Sequence, residues 1–323
     1  MKVGIIGAGA IAGTMAGTIR EMDCAQNYAV AARDYGRAAE FAQTYGFEKA
    51  YGSYEELVED AGVELVYIAT PHSHHYEHIK LCLNHGKHVL SEKSFTVNES
   101  QAREVLALAR EKKLLLTEAI WTRYMPMRKT LDSVLSSGII GRPYMLTANL
   151  GYIISGKERI MRPELAGGAL LDVGIYPLNF AAMGFGDEVD SITGTAVMTE
   201  TGVDAQNSIT ITYKDGKMAA LCSSAMGLSD RRGIIYGDNG FIEVENINNC
   251  EGIRVYDRSR NMIASYDTPK QISGYEYEVE ACLRAIKEGA LECPEMPHEE
   301  TLRMMGWMDE LRRQWGLVYP MER

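Results

Sequence analysis

Val3-Gly4-Ile5-Ile6-Gly7-Ala8-Gly9-Ala10-Ile11-Ala12 decides how the first part of the chain folds. A short apolar run predicts a buried strand, and a helix-period pattern runs from around Ile11 to Arg20. Each small residue between the two has a task. Gly7 permits the tight turn, Gly9 lets backbone approach a bulky anion, and Ala12 lets the helix pack close to the strand. The unpaired amides of Ala10, Ile11 and Ala12 then face outward at the positive end of a helix, where a pyrophosphate is favoured. Strand, glycine loop and helix in this order predict a dinucleotide-binding βαβ unit.

Working outward from that unit, strands alternate with helices up to about Trp121. Runs at Tyr28–Ala32, Glu64–Ala69, His88–Ser91 and Leu114–Thr117 are β-rich. The stretches Gly36–Tyr45, Ser53–Glu59, Tyr76–His85 and Glu99–Lys112 are helical, with Ser53 and Glu56 spaced as a capping box. The alternation predicts an α/β, doubly wound parallel Rossmann sheet over residues 1–121. After Trp121 the pattern changes to consecutive extended runs, with turn signals at Asp215-Gly216 and Asn239-Gly240. Residues 122–323 are therefore expected to form an α+β domain with a mostly antiparallel open sheet.

The ends of the parallel strands should line a ligand crevice. At the end of the second, the place of the usual ribose-binding acid holds Ala32, and Arg33 follows. A guanidinium there pairs with a 2′-phosphate, so NADP is expected, with Arg37 assisting and Asp34 acting as a helix cap. NAD is the alternative, and Asp34 would then be the only nearby hydroxyl acceptor. Thr70-Pro71-His72-Ser73-His74-His75 ends the next strand and predicts polar cofactor contacts from Thr70, Pro71, His72 and His75. The histidines lack a matching Cys or carboxylate set, so no metal is expected. Ser91-Glu92-Lys93-Ser94 ends the fourth β-rich run and brings a lysine to the crevice. In Gly167-Gly168-Ala169-Leu170-Leu171-Asp172-Val173-Gly174-Ile175-Tyr176-Pro177, Asp172 and Tyr176 stand four apart on one helical face, and Pro177 requires that helix to begin close before it or to kink.

These motifs resemble the Gfo/Idh/MocA family of glucose–fructose oxidoreductase and inositol dehydrogenase type enzymes nearly end to end. The likeness rests on GAGAIA, TPHSHH, EKS, GGALLDVGIY and the C-terminal MDELRRQWGLVYP. AARDYGRAAEFA, YGSYEEL and EAIWTR, with the tyrosine of GGALLDVGIY, are most similar to the dimeric dihydrodiol dehydrogenase branch. The resemblance implies a dehydrogenase or reductase acting on a sugar, polyol or trans-diol. It implies that Lys93 is the catalytic lysine, Asp172 the active-site acid and Tyr176 a proton-handling group. It places Glu92, Trp121 and Arg123 near the nicotinamide end, and it implies a homo-oligomer formed through the C-terminal sheet. Where the family has proline after the lysine this chain has Ser94. A non-proline cis bond costs about 2.5–4 kcal/mol, so a trans peptide is expected there.

Composition narrows the alternatives. The chain has 323 residues and a formal net charge of -11, which argues against nucleic acid or an anionic membrane as main partner. No apolar run reaches the ~20 residues of a membrane helix, and no leader is seen. Six scattered cysteines suit free thiols in a cytoplasmic protein. A non-catalytic dinucleotide sensor is the rival from another class. Lys93, Asp172 and Tyr176 occurring together weigh against it.

Overall fold

The computed structural model describes residues 1–323 as two compact units, one of residues 1–124 with 271–305, the other of 125–270 with 306–323. The first crossing falls three residues beyond the expected boundary at 121/122. The second was not expected: residues 271–305 belong to the first unit, whereas the sequence reading placed all of 122–323 in one domain.

The first unit alternates β1 (Lys2–Ile6), α1 (Ala10–Arg20), β2 (Gln26–Ala31), α2 (Tyr35–Tyr45), β3 (Lys49–Tyr51), α3 (Tyr54–Glu59), β4 (Leu65–Ile68), α4 (His72–Asn84), β5 (His88–Glu92), α5 (Glu99–Lys112) and β6 (Leu116–Ala119). The strands form a parallel sheet in the order β3-β2-β1-β4-β5-β6, the expected doubly wound arrangement. β1 is central, with Ile5 opposite Val30 on one side and Tyr67 on the other, which is why its apolar run does not alternate. The expected caps form: Asp34 accepts from the Arg37 amide at 2.7 Å, and Ser53 and Glu56 make a reciprocal capping box. β3 was missed, being three residues long. α4 begins at His72, directly after Pro71 and four residues before the expected start.

The second unit comprises α6 (Pro126–Ser136), β7 (Pro143–Gly151), α7 (Glu158–Met161), α8 (Ile175–Phe185), then β8 (Val189–Met198), β9 (Asp204–Tyr213), β10 (Met218–Ser224), β11 (Gly233–Gly237), β12 (Gly240–Glu245), β13 (Gly252–Asp257) and β14 (Met262–Asp267). Its eight-stranded sheet runs β14-β13-β12-β11-β7-β10-β9-β8 and is antiparallel except between β7 and β10. Both expected turns form, with Gly216 at φ +86 and Gly240 at φ +156. In β9 and β10, Ile209, Ile211, Ala219 and Leu221 are buried while Gln206, Ser208, Ala220 and Cys222 are exposed, so one face stays open. The stretch Pro163–Phe185 is 23 residues long and apolar enough to cross a membrane, contrary to expectation, but 94% of its apolar window is buried within the protein. The chain then returns as α9 (Glu276–Glu288) and α10 (His298–Trp315). In the first unit, Leu116 N–H donates to Leu291 O, and His298 Nε2 lies 2.8 Å from Leu116 O. The exposed edge of β6 is thereby covered.

Candidate active site

At the end of β1, Gly7 holds φ +103, and a Cβ there would stand 2.9 Å from Ala69 O. Gly9 differs: its φ is -97, no side chain caps α1, and a Cβ would meet nothing within 4 Å. The first helical bond runs from Gly13 N–H to Gly9 O, so the amides of Ala10, Ile11 and Ala12 precede the helical ladder. Uncapped amides beneath open space fit a dinucleotide pyrophosphate. These residues would hold it.

At the end of β2, Ala32 is buried and Arg33 exposed, and the side chain of Asp34 is spent on the cap of α2. Arg37 reaches across from α2, its Nη2 donating to Ala8 O at 2.8 Å, so one guanidinium braces the glycine loop. At the end of β4, Thr70 Oγ1 and His78 Nδ1 lie 3.0 Å apart. His75 is fully buried between two carbonyls, with Nδ1 2.8 Å from Ser94 O and Nε2 2.8 Å from Thr70 O. Burial pushes His75 down to about 4 against the pull of those carbonyls, so it is neutral at pH 7 and donates to one of them. It ties the β4 end to the β5 end. His72 is buried edge-on to His75, with ring centroids 5.8 Å apart.

Lys93 follows β5. Its peptide bond to Ser94 is cis, correcting the expected trans bond. Glu92 is buried beside it, accepting from the Tyr67 hydroxyl and, through Oε2, from Lys93 N–H at 3.2 Å. Behind Glu92 is the fully buried Glu278 of α9, which burial, Glu92 and Cys293 hold well above the usual carboxylate range. Glu118 of β6 is fully buried too. Its Oε1 accepts from Phe95 N–H at 3.1 Å, and burial pushes its carboxyl up to about 7. The Trp121 ring stacks on Tyr275 with centroids 4.2 Å apart. Arg123, expected near the nicotinamide end, is buried, and its guanidinium pairs with Glu300 at 2.6 Å.

In the second unit, Asp172 sits in a π-helical turn, Leu170–Gly174, that leads into α8. Ile175 N–H reaches back five residues to Leu170 O. The wide turn resolves the Pro177 problem: the proline becomes the third residue of α8, where its missing N–H is no loss. Asp172 and Tyr176 are both buried, on either side of the junction between the two helix types. The structure adds a partner for Asp172. Arg159 of α7 donates from Nη1 to Asp172 Oδ1 at 2.7 Å, with Nη2 3.5 Å from Oδ2.

The two glycines before this turn make room for its neighbours. A Cβ on Gly167 would collide with Ile160 O and stand 2.8 Å from Arg159 O, and a Cβ on Gly168 would collide with Asp204. Asp204 is buried and accepts from Leu170 N–H at 2.8 Å, anchoring the turn. Burial pushes Asp204 up to about 6 against its hydrogen bonds. From the C-terminal motif, the Tyr319 hydroxyl donates to Gly167 O at 2.6 Å, and Trp315 Nε1 donates to Gly194 O at 2.9 Å.

Arg159, Asp204, Glu118 and Glu278 were missed by the sequence reading. Only Glu118 left a local signal, as a charge inside the apolar run Leu114–Ile120.

Residues 1–120 match the oxidoreductase family with NAD-binding Rossmann fold, and residues 129–243 match the GFO/IDH/MocA C-terminal domain. The chain belongs to the Gfo/Idh/MocA family. It is an NAD(P)-binding oxidoreductase. Within the family it is 33% identical over 327 residues to trans-1,2-dihydrobenzene-1,2-diol dehydrogenase of Xenopus tropicalis, covering 99% of each chain. The enzyme of that name from Homo sapiens is 33% identical over 332 residues, covering 100% of this chain and 99% of the other. Among solved structures, a 3-ketoreductase from Actinomadura kijaniata, in complex with NADP and TDP-benzene, has a TM-score of 0.90 at 24% identity over 97% of both chains. An aldose-aldose oxidoreductase from Caulobacter crescentus has a TM-score of 0.87 at 18% identity, again over 97% of both. These two likenesses show the shared fold.

Proposed function

We infer that the protein is an NADP-dependent dehydrogenase or reductase of a trans-diol, sugar or polyol. The observation that carries the cofactor choice is the end of β2. Ala32 offers no acceptor for a ribose hydroxyl, Asp34 is committed to its helix cap, and Arg33 is exposed beside them. The names of the curated relatives support the diol, and full-length similarity to them supports the reaction class.

Bound nicotinamide supplies the hydride acceptor or donor. The chain's own residues manage the proton. Alcohol oxidation needs a group to take the hydroxyl proton, and a phenol with a pKa near 10 does so at neutral pH only with help from a cation. This reading assigns the proton to Tyr176 Oη of the second unit, and gives Lys93 of the first unit the catalytic-lysine role that the family resemblance implies. Asp172, steered by Arg159, orients the hydroxyl. Glu92, double acceptor to Tyr67 and the Lys93 amide, holds the lysine's backbone in place.

The same reading makes the partner a small molecule. It proposes a homo-oligomer built through the open face of the second sheet, where Met145, Met218 and Cys222 are exposed. A cytoplasmic location is proposed too, on the strength of six free thiols.

The test is reduction of NADP⁺ and NAD⁺ by the purified chain across a panel of trans-diols, sugars and polyols, repeated with Arg33→Ala. Charge-assisted arginine contacts contribute roughly 1.5–3 kcal/mol, so Arg33→Ala is expected to weaken NADP binding about ten- to a hundredfold and leave NAD nearly unchanged. Equal losses for both cofactors refute the 2′-phosphate role. No turnover with any alcohol in either cofactor favours the sensor reading.

A further inference from the structure

A group of side chains beside Arg33 is not used by the mechanism above. His74 lies in the first turn of α4, half-buried, with Nδ1 2.8 Å from Ser73 Oγ. Its ring centroid is 5.8 Å from that of His78, whose ring in turn meets Tyr54 of α3 edge-on at 4.7 Å. Arg33 bears electrostatically on His74, His78 and Tyr54, and Arg37 bears on Tyr54. Three segments therefore converge on one corner of the first unit: the loop after β2, the start of α3 and the start of α4. The two exposed guanidiniums stand at its rim.

Resting on the NADP reading, we propose that His74 is a further contact of the cofactor's 2′-phosphate and takes up a proton when NADP binds.

The other histidines of the cluster are committed elsewhere. His78 is buried against Thr70 and Tyr54, and burial, aided by His74, His75 and Arg33, pushes it down to about 4. His75 is locked between two carbonyls. His74 alone among them is open to solvent on one side. In the unliganded protein, burial and the positive charge of Arg33 hold it below its ordinary value of 6.5, so it is neutral at pH 7. A phosphate monoester has its second pKa near 6 and is a dianion above neutrality. Placed at the Arg33 rim, that charge reverses the local balance and favours the imidazolium. The histidine then donates a charge-assisted hydrogen bond in addition to those of the arginines. NAD has only a hydroxyl there and brings no charge to hold the proton.

The consequence is a pH-dependent choice of cofactor. The NADP complex holds one proton more than the free protein between the unliganded and liganded pKa values of His74. NADP affinity therefore falls as pH rises through that window, by at most about tenfold per unit. NAD affinity does not.

The experiment is the Kd of NADP and of NAD, by quenching of intrinsic fluorescence, at intervals from about pH 6.5 to 8.5. It is run on wild type, His74→Gln and His74→Lys. Expected for wild type is a rise in the NADP Kd of roughly three- to tenfold per pH unit over part of this range, with the NAD Kd constant within about twofold. His74→Gln should bind NADP about tenfold more weakly at pH 6.5 and lose the slope. His74→Lys, a permanent cation, should bind NADP tightly with no slope. Equal slopes in wild type and His74→Gln, with NADP still preferred, overturn the role of His74 alone. Absence of NADP preference at every pH overturns the NADP reading and this inference with it.

Discussion

Gly9→Val separates cofactor binding from folding because of where the missing Cβ points. At Gly9 a Cβ meets nothing within 4 Å and the φ of -97 suits any residue, so the chain tolerates it. Valine at a helix start costs under about 1 kcal/mol, equivalent to roughly 2–4 °C in Tm for a unit of this size. The open space is where a pyrophosphate would approach the amides of Ala10, Ile11 and Ala12. Denying it two charge-assisted amide contacts of about 1.5–3 kcal/mol each removes roughly 3–6 kcal/mol of binding, or about 10²–10⁴ in Kd. Gly7→Ala is the contrasting variant. It forces alanine to φ +103 with its Cβ 2.9 Å from Ala69 O, so it should lower Tm by several degrees more than Gly9→Val. The assay pairs NADP binding by fluorescence with thermal unfolding of both variants. A Gly9→Val protein that binds NADP within about threefold of wild type refutes the assignment. So does one that loses binding only because it unfolds.

Tyr176→Phe should cut turnover about 10²–10⁴-fold, and Lys93→Met at least as much, with NADP affinity little changed in the tyrosine variant; near-normal kcat in Tyr176→Phe removes it from the chemistry. Arg159→Met removes one charged partner of a buried carboxylate and should cost roughly 1.5–3 kcal/mol of stability. Adding Asp172→Asn should restore most of that loss in thermal unfolding, and a double variant as unstable as Arg159→Met shows that the ion pair was not the cause. Burial raises Glu118 from 4.5 to about 7, so the folded state holds the extra proton and stability falls as pH rises from about 4.5 to 7. Glu118→Gln, neutral throughout, should flatten Tm against pH over that window and raise Tm at pH 8; an unchanged profile means that Glu118 does not titrate there.

The parts of the fold that could be read in the sequence are those whose causes are local. The glycine turn follows from residues in immediate succession, as do the Asp34 cap and the Ser53/Glu56 capping box. The β9–β10 hairpin follows from a period-2 pattern around Asp215-Gly216. Arg33 came forward as a candidate because a missing acid beside a cation is a one-position signal. The resemblance named Lys93, Asp172 and Tyr176 for the same reason, each standing in a short motif.

Tertiary structure alone decided what depends on residues distant in sequence. Arg159 has no motif of its own; it meets Asp172 because Gly167 and Gly168 leave room for the backbone of residues 159–160 and for Asp204. Arg123 stands in a short motif that the resemblance places near the nicotinamide end, and only folding brings it to Glu300, 177 residues away. Glu118 and Glu278 look like ordinary acids until packing removes their water, and desolvation rather than sequence raises Glu118 to about 7 and Glu278 well above the usual carboxylate range. The return of residues 271–305 to the first unit is of the same kind. A helix's periodicity tells it to bury one face, but only the shape of the finished sheet tells it where.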